Sequence, residues 1–169
     1  MAFPWIAQSK FENTVTPFGW DSESDTGTKL DVPHYSVLAR VPGMAMPFRG
    51  ASCMRVDLTA GDTNAHTVTE GDIDIADEGT AWFRFYLWMS KDFAATADDV
   101  FNIFELQQAG GTVESSLGMR ITAATGAVEI GIGDGAAPTN YVTSLFTKGV
   151  WHCVELRAKI STTAAGTLD

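Results

Sequence analysis

Hydrophobic and polar residues alternate along several short stretches of this chain, and a period of two predicts strands. Residues 52–58 set Met54, Val56 and Leu58 against Cys53, Arg55 and Asp57. Residues 68–75 set Ile73 and Ile75 against Asp72 and Asp74. The strongest stretch is 81–89, where Phe83, Phe85, Leu87 and Met89 oppose Trp82, Arg84, Tyr86 and Trp88. Both of its faces are bulky, which predicts a central strand. Residues 100–106 read as a strand with Phe101 and Ile103 opposite Phe104 and Leu106. Residues 117–122 and 127–132 read as a hairpin through Ala124-Thr125-Gly126, followed by strands at 141–146 and 150–160. In the last, Val150, His152, Val154, Leu156, Ala158 and Ile160 share one face, and Trp151, Cys153, Glu155, Arg157 and Lys159 the other. Residues 35–41, closed by Pro42-Gly43, are expected to open the series, and 90–99 to form a loop or one helical turn. About nine strands without a long helical pattern predict an all-β chain, an antiparallel two-sheet sandwich or jelly roll. Its core is expected to hold Phe83, Phe85, Phe104, Leu106, Val154 and Leu156.

Composition narrows the function. The 169 residues suggest one domain, and 45% hydrophobic against 19% charged residues allow a sizeable core. The net charge of −10 gives no basic footprint for nucleic acid and disfavours an anionic membrane surface. No apolar run approaches the ~20 residues of a membrane helix. Cys53 and Cys153 sit in apolar, strand-like contexts and are expected to be buried free thiols; a disulfide would require their strands to meet. Residues 1–10 read as an extended arm, and 11–169 as the sandwich. The start has neither the basic nor the long apolar region of a secretory leader. The arm carries Phe3, Pro4, Trp5 and Ile6, apolar groups expected to pack on another protein chain.

The order of motifs then becomes recognisable. The aromatic strand at 80–89, Val100-Phe-Asn-Ile-Phe-Glu-Leu106, Leu117-Gly-Met-Arg-Ile121 and a short hairpin precede Lys148-Gly-Val-Trp-His-Cys-Val-Glu-Leu-Arg157 and Ala165-Gly-Thr-Leu-Asp169. This resembles the laminin-G-like and concanavalin A-like jelly rolls over about residues 11–169. The resemblance implies the fold rather than one activity, because that fold hosts lectins, glycanases and structural modules. The residues end where the family would begin another strand, which leaves either a truncated product or a sheet edge for a partner to cover.

Three groups of residues invite chemistry. Glu70-Gly-Asp72-Ile-Asp74 would align three carboxylates on one strand face and looks like the Glu-x-Asp-x-Glu signature of laminarinase-type glucanases. Asp74 stands where that signature has Glu, so a solvated acidic edge is preferred and no catalytic residue is assigned. Asp62, Asn64, Asp72, Asp74, Asp77 and Glu78 supply hard oxygens, with Asp72, Asp74 and Asp77 the metal candidates. They show no established calcium spacing, so no cofactor is expected, with calcium the one that acidic loops leave open. Trp82, Arg84, Tyr86 and Trp88 can form a carbohydrate platform; burial as a second core layer, with Arg84 paired to an acid such as Glu155, is preferred. His34, His66 and His152 are separate in sequence, and His152, on an apolar face, reads as structural.

The expectation is therefore a non-catalytic structural or assembly protein, a virion surface or capsid decoration protein of a phage. A leaderless start would suit particles released by lysis. Its partners would be a capsid shell or like copies in a multi-copy or homo-oligomeric assembly, without nucleic acid or membrane. The alternatives are an extracellular carbohydrate-binding module and, third, a laminarinase-type glycoside hydrolase.

Overall fold

A computed structural model describes residues 22–25, 30–31, 35–40, 47, 54–56, 66–69, 79–94, 98–108, 111–135, 138–143, 146–159 and 167–168. The chain divides into two compact units, Met1–Asp74 and Ile75–Asp169. In the described residues strands pair antiparallel and helix is confined to one turn, so the chain is all-β.

The first unit holds β1 (Ser22–Asp25), β2 (Leu30–Asp31), α1 (Tyr35–Leu38), β3 (Arg55–Val56) and β4 (His66–Thr69). β1 pairs with β4, and β2 with β3. The strand expected at 35–41 is instead the single turn α1, closed by Arg40 N–H donating to the Val37 carbonyl at 3.1 Å. The reason is visible in the alternation itself: a strand would place Leu38 on one face with Ser36 and Arg40. A helical turn buries Leu38 and leaves Ser36, Val37, Ala39 and Arg40 in solvent. β3 also departs from expectation, because Met54 and Val56 are exposed and Arg55 is the half-buried residue. Among the described residues β3 is a two-residue pairing with β2.

The second unit holds β5 (Thr80–Leu87), β6 (Asp99–Gln107), β7 (Val113–Ile121), β8 (Val128–Asp134), β9 (Asn140–Thr143), β10 (His152–Lys159) and β11 (Thr167–Leu168). They form two antiparallel sheets, ordered β11-β10-β5 and β6-β7-β8-β9. The inward faces meet in a common core. Leu117 of β7 packs with Leu156 and Ala158 of β10, surrounded by Phe83, Phe85, Phe104, Leu106 and Val154. Thus all six residues expected in the core are there, with Leu156 at 3% exposure and the others partly buried. Phe104 bridges the sheets, 4.9 Å from Phe83 and 6.2 Å from Phe85 by ring centroid. A second cluster of Met119, Ile121 and Val128 extends the core towards Leu87, Phe93 and Phe146. Each fully buried aliphatic side chain contributes about 1.5–3 kcal/mol.

Two local features set the register. The pairing of β6 with β7 shifts between Asn102 and Phe104. Strict alternation would send Phe101 and Ile103 to one face and Phe104 and Leu106 to the other. The irregularity, a β-bulge in effect, lets all four pack against the core clusters. The β7–β8 hairpin turns through 123–126 as expected, with Thr122 N–H donating to Ala127 O at 3.0 Å. Gly126 closes it at φ +66°, a conformation that costs glycine no Cβ clash. Residues 90–94 form the expected loop, with Phe93 N–H donating to Ser90 O at 3.2 Å.

Candidate functional site

Alternation along β5 and β10 sends one set of side chains to the core and the other outward. The antiparallel register then sets the outward residues opposite one another: Thr80 and Lys159, Trp82 and Arg157, Arg84 and Glu155, Tyr86 and Cys153. This strip is exposed. Trp82 is 56% and Tyr86 36% accessible, and Arg84, Cys153, Glu155, Arg157 and Lys159 are also exposed. Burial as a second core layer is therefore corrected for Trp82, Arg84 and Tyr86, while Trp88, beyond the end of β5, is half-buried. Among the described residues β5 pairs with β10 alone, so the central position expected for it is not seen there either. What decides the outcome is charge: Glu155 and Arg157 stand on this same face, directly across the ladder from Arg84 and Trp82, and placing them in a core would strip both of water.

The expected partner of Arg84 is correct. Its guanidinium forms an ion pair with Glu155, and the hydrogen bond and charge of that carboxylate raise the Arg84 pKa. The Arg157 guanidinium lies 5.9 Å from the centre of the Trp82 ring, within cation–π range. The strip is thus an alternation of flat rings and held cations on two hydrogen-bonded strands. Such a surface can stack a planar or C–H-rich ligand and donate hydrogen bonds to oxygen.

Cys153 is free and exposed, against the expectation of a buried thiol, because it shares its face with Glu155 and Arg157. His152 faces the other way, stacked on Phe146 with centroids 4.1 Å apart. Its Nε2 lies 3.0 Å from both the backbone N and O of Thr147, so it is a structural histidine as expected.

The outward face of β6–β9 is finished differently. Gly118 and Gly131 pair across β7 and β8, and both are buried. A Cβ on Gly118 would stand 2.6 Å from Pro138 Cγ, and one on Gly131 would stand 2.7 Å from the Tyr141 ring. The loop after β8 thus lies over this sheet, and Ser116 Oγ anchors it by donating to Gly135 O at 2.7 Å. Arg120 lies over the Tyr141 ring at 4.5 Å and donates from Nε to Glu129 at 2.7 Å. The Tyr141 hydroxyl is buried without a hydrogen-bond partner among the described residues. Burial raises the pKa of Tyr141, and Arg120 opposes part of that rise. At the β6 margin, Glu105 accepts from Asn102 Nδ2 at 2.7 Å and Gln107 Nε2 at 3.1 Å. The alternation of hydrophobic and polar residues does not reveal this cluster. Its one sequence signal was the Ala124-Thr125-Gly126 hairpin, whose register sets Arg120 opposite Glu129.

The arm residues Phe3, Pro4, Trp5 and Ile6 lie outside the described residues, as do Glu70, Asp72, Asp74 and Asp77 of the carboxylate row and metal candidates. The same holds for Asp62, Asn64, Glu78, His34 and Cys53. Among the described residues, no three His, Cys, Asp or Glu side chains gather as a metal site, and no helix is long and apolar enough to cross a membrane. Comparison of the chain with protein-family models, curated proteins and solved structures gives no match.

Proposed function

We propose that this chain is a non-catalytic binding module of the concanavalin A-like jelly-roll type, carried in many copies on the surface of an assembly such as a phage capsid. The observation that carries the reading is the outward strip of β5 and β10. Large rings stand in water there, on strands held by paired backbone and a packed core. Trp, Tyr and Arg are the residue types that dominate binding energy where surfaces meet. Two facing antiparallel sheets and the run at 148–157 support the jelly-roll type. In this reading the strip meets a partner, and Phe3, Pro4, Trp5 and Ile6 dock the module on a shell or a like copy.

Carbohydrate binding is the second reading, favoured by the interleaving of exposed rings with cations along β5 and β10. The test of the first is the solution mass of the full chain by light scattering, beside that of a chain lacking residues 1–8. A defined oligomer that dissociates on deletion while its circular dichroism persists supports the proposal. A monomeric full chain that cleaves β-glucan, and loses that activity in Glu70→Gln, overturns it.

A further inference from the structure

We infer that His152 is a proton-operated switch: its Nε2 holds the Thr147 N–H while the ring is neutral and the Thr147 carbonyl once the ring is charged. This goes beyond the reading of the strip on β5 and β10, because His152 shares the core-facing side of β10 with Val154 and Leu156.

One nitrogen meets two groups of opposite polarity. His152 Nε2 lies 3.0 Å from Thr147 N and 3.0 Å from Thr147 O. A ring nitrogen serves one of them at a time: without a hydrogen it accepts, and with one it donates. The geometry selects the first state for the neutral ring. The hydrogen on Thr147 N is fixed by its peptide plane, and it points at Nε2. A second hydrogen on Nε2 would meet it head to head. Nε2 therefore carries the lone pair, and Nδ1 the hydrogen. A proton taken from water then has one place to go, the atom already in the contact. There it breaks the bond from Thr147 N–H and makes one to Thr147 O, which a charged donor strengthens.

The surroundings keep the change local. Phe146 stacks on the ring, with centroids 4.1 Å apart and 25° between the planes, and packs beside Met119, Ile121 and Val128. The face of that ring suits a cation as well as a neutral imidazole. On the other side of Thr147, Lys148 Nζ donates to Phe93 O at 2.7 Å, and Gly149 N–H donates to Met89 O at 2.7 Å. Thr147 is exposed between these anchors, so it can exchange one bond for the other while they hold.

The groups around the ring set its charge environment. The segment 146–149 contributes Lys148, and the loop at 90–94 contributes Asp92 and Lys91, which lies over Gly149. β5 sets Leu87 opposite His152, and β7 and β8 offer Met119, Ile121, Val128 and Ile130 to the same end of the core. Arg84 and Tyr86 of β5, and Cys153 and Glu155 of β10, lie on the opposite face. Among the described residues no carboxylate pairs with His152.

The experiment follows the full chain, labelled with nitrogen-15, by NMR from about pH 8 to about pH 5.5, across the range in which histidines change charge. At the alkaline end the ring nitrogen shifts should show the hydrogen on Nδ1 and the lone pair on Nε2. As the His152 ring titrates, the Thr147 amide proton should move upfield with the same midpoint, because it loses this acceptor. The Gly149 amide, bonded to Met89 O, should move far less. In His152→Gln the Thr147 amide should stay in place over that range, although His34 and His66 remain.

Circular dichroism of the variant must match that of the parent chain. The tautomer and the shared midpoint are read on the parent chain, so they decide the inference even where the variant does not fold. A hydrogen on Nε2 at the alkaline end overturns it. So does a Thr147 amide that stands still while His152 titrates, a His152 ring that does not titrate in this range, or a Thr147 shift that survives His152→Gln.

Discussion

The outward faces of the second unit's two sheets share one core but are finished in opposite ways. On β7 and β8 the chain removes side chains at Gly118 and Gly131, then lays Pro138 and Tyr141 over the bare backbone. On β5 and β10 it places Trp82, Arg84, Glu155 and Arg157, and leaves them in solvent. Burial therefore does not follow side-chain hydrophobicity here. Glycine lies inside and tryptophan outside, because a loop returns over one face whereas cross-strand charges hold the other face in water. Exposed aromatic residues on a chain that covers a sheet elsewhere set the two faces apart.

Substitutions can break this contrast, beginning with the core that both faces share. Phe85→Ala removes a ring between the sheets and should cost about 3–5 kcal/mol in urea unfolding. A cost below about 1 kcal/mol would mean that β5 does not line this core. Next comes the closed face. Gly118→Ala drives a methyl group against Pro138 and should cost about 1–3 kcal/mol, where an open face would have tolerated it.

Tyr141→Phe sharpens the comparison. It deletes a buried hydroxyl without a partner among the described residues, so stability at neutral pH should stay within about 1 kcal/mol or rise. Alkali adds a second readout. Folding raises the Tyr141 pKa above its ordinary 10.0, so its contribution is fully present below that pH and is lost as pH climbs through the folded value. The Phe variant should therefore lose less stability than the parent above pH 10.0. The smallest effect belongs to the open face: Trp82→Ala should shift stability by no more than about 0.5 kcal/mol. A loss of several kcal/mol would show that Trp82 belongs to the core.

Much of the second unit was legible because its side chains follow simple periods. The alternation at 152–158, the hairpin glycine and the six core residues could be read directly, and so could the pairing of Arg84 with an acid. Other features depend on partners that a linear pattern does not name. Ile103 and Phe104 both reach the core only through a register shift, which requires β7 alongside β6. The outward aromatic row has the same local pattern whether buried or exposed, and the residues across from it on β10 decide between the two. The turn at Tyr35–Leu38 replaces the expected strand because apolar content alone does not fix the period there, and the alternation mixes Leu38 with Ser36 and Arg40. The Arg120–Tyr141–Glu129 group draws on three strands, and no window along the chain contains it.

One exposed atom turns this open face into its own instrument. The Cys153 sulfur sits across the ladder from Tyr86, one pair along from the Arg84–Glu155 ion pair. A small environment-sensitive dye attached there by maleimide chemistry would stand at the end of the strip without replacing any ring or cation. Its emission would report arrival of a partner on an otherwise unaltered surface. The rate at which the thiol takes up the dye would measure how well a bound partner shields that end. In that way a side chain with no assigned part in recognition gives optical access to it.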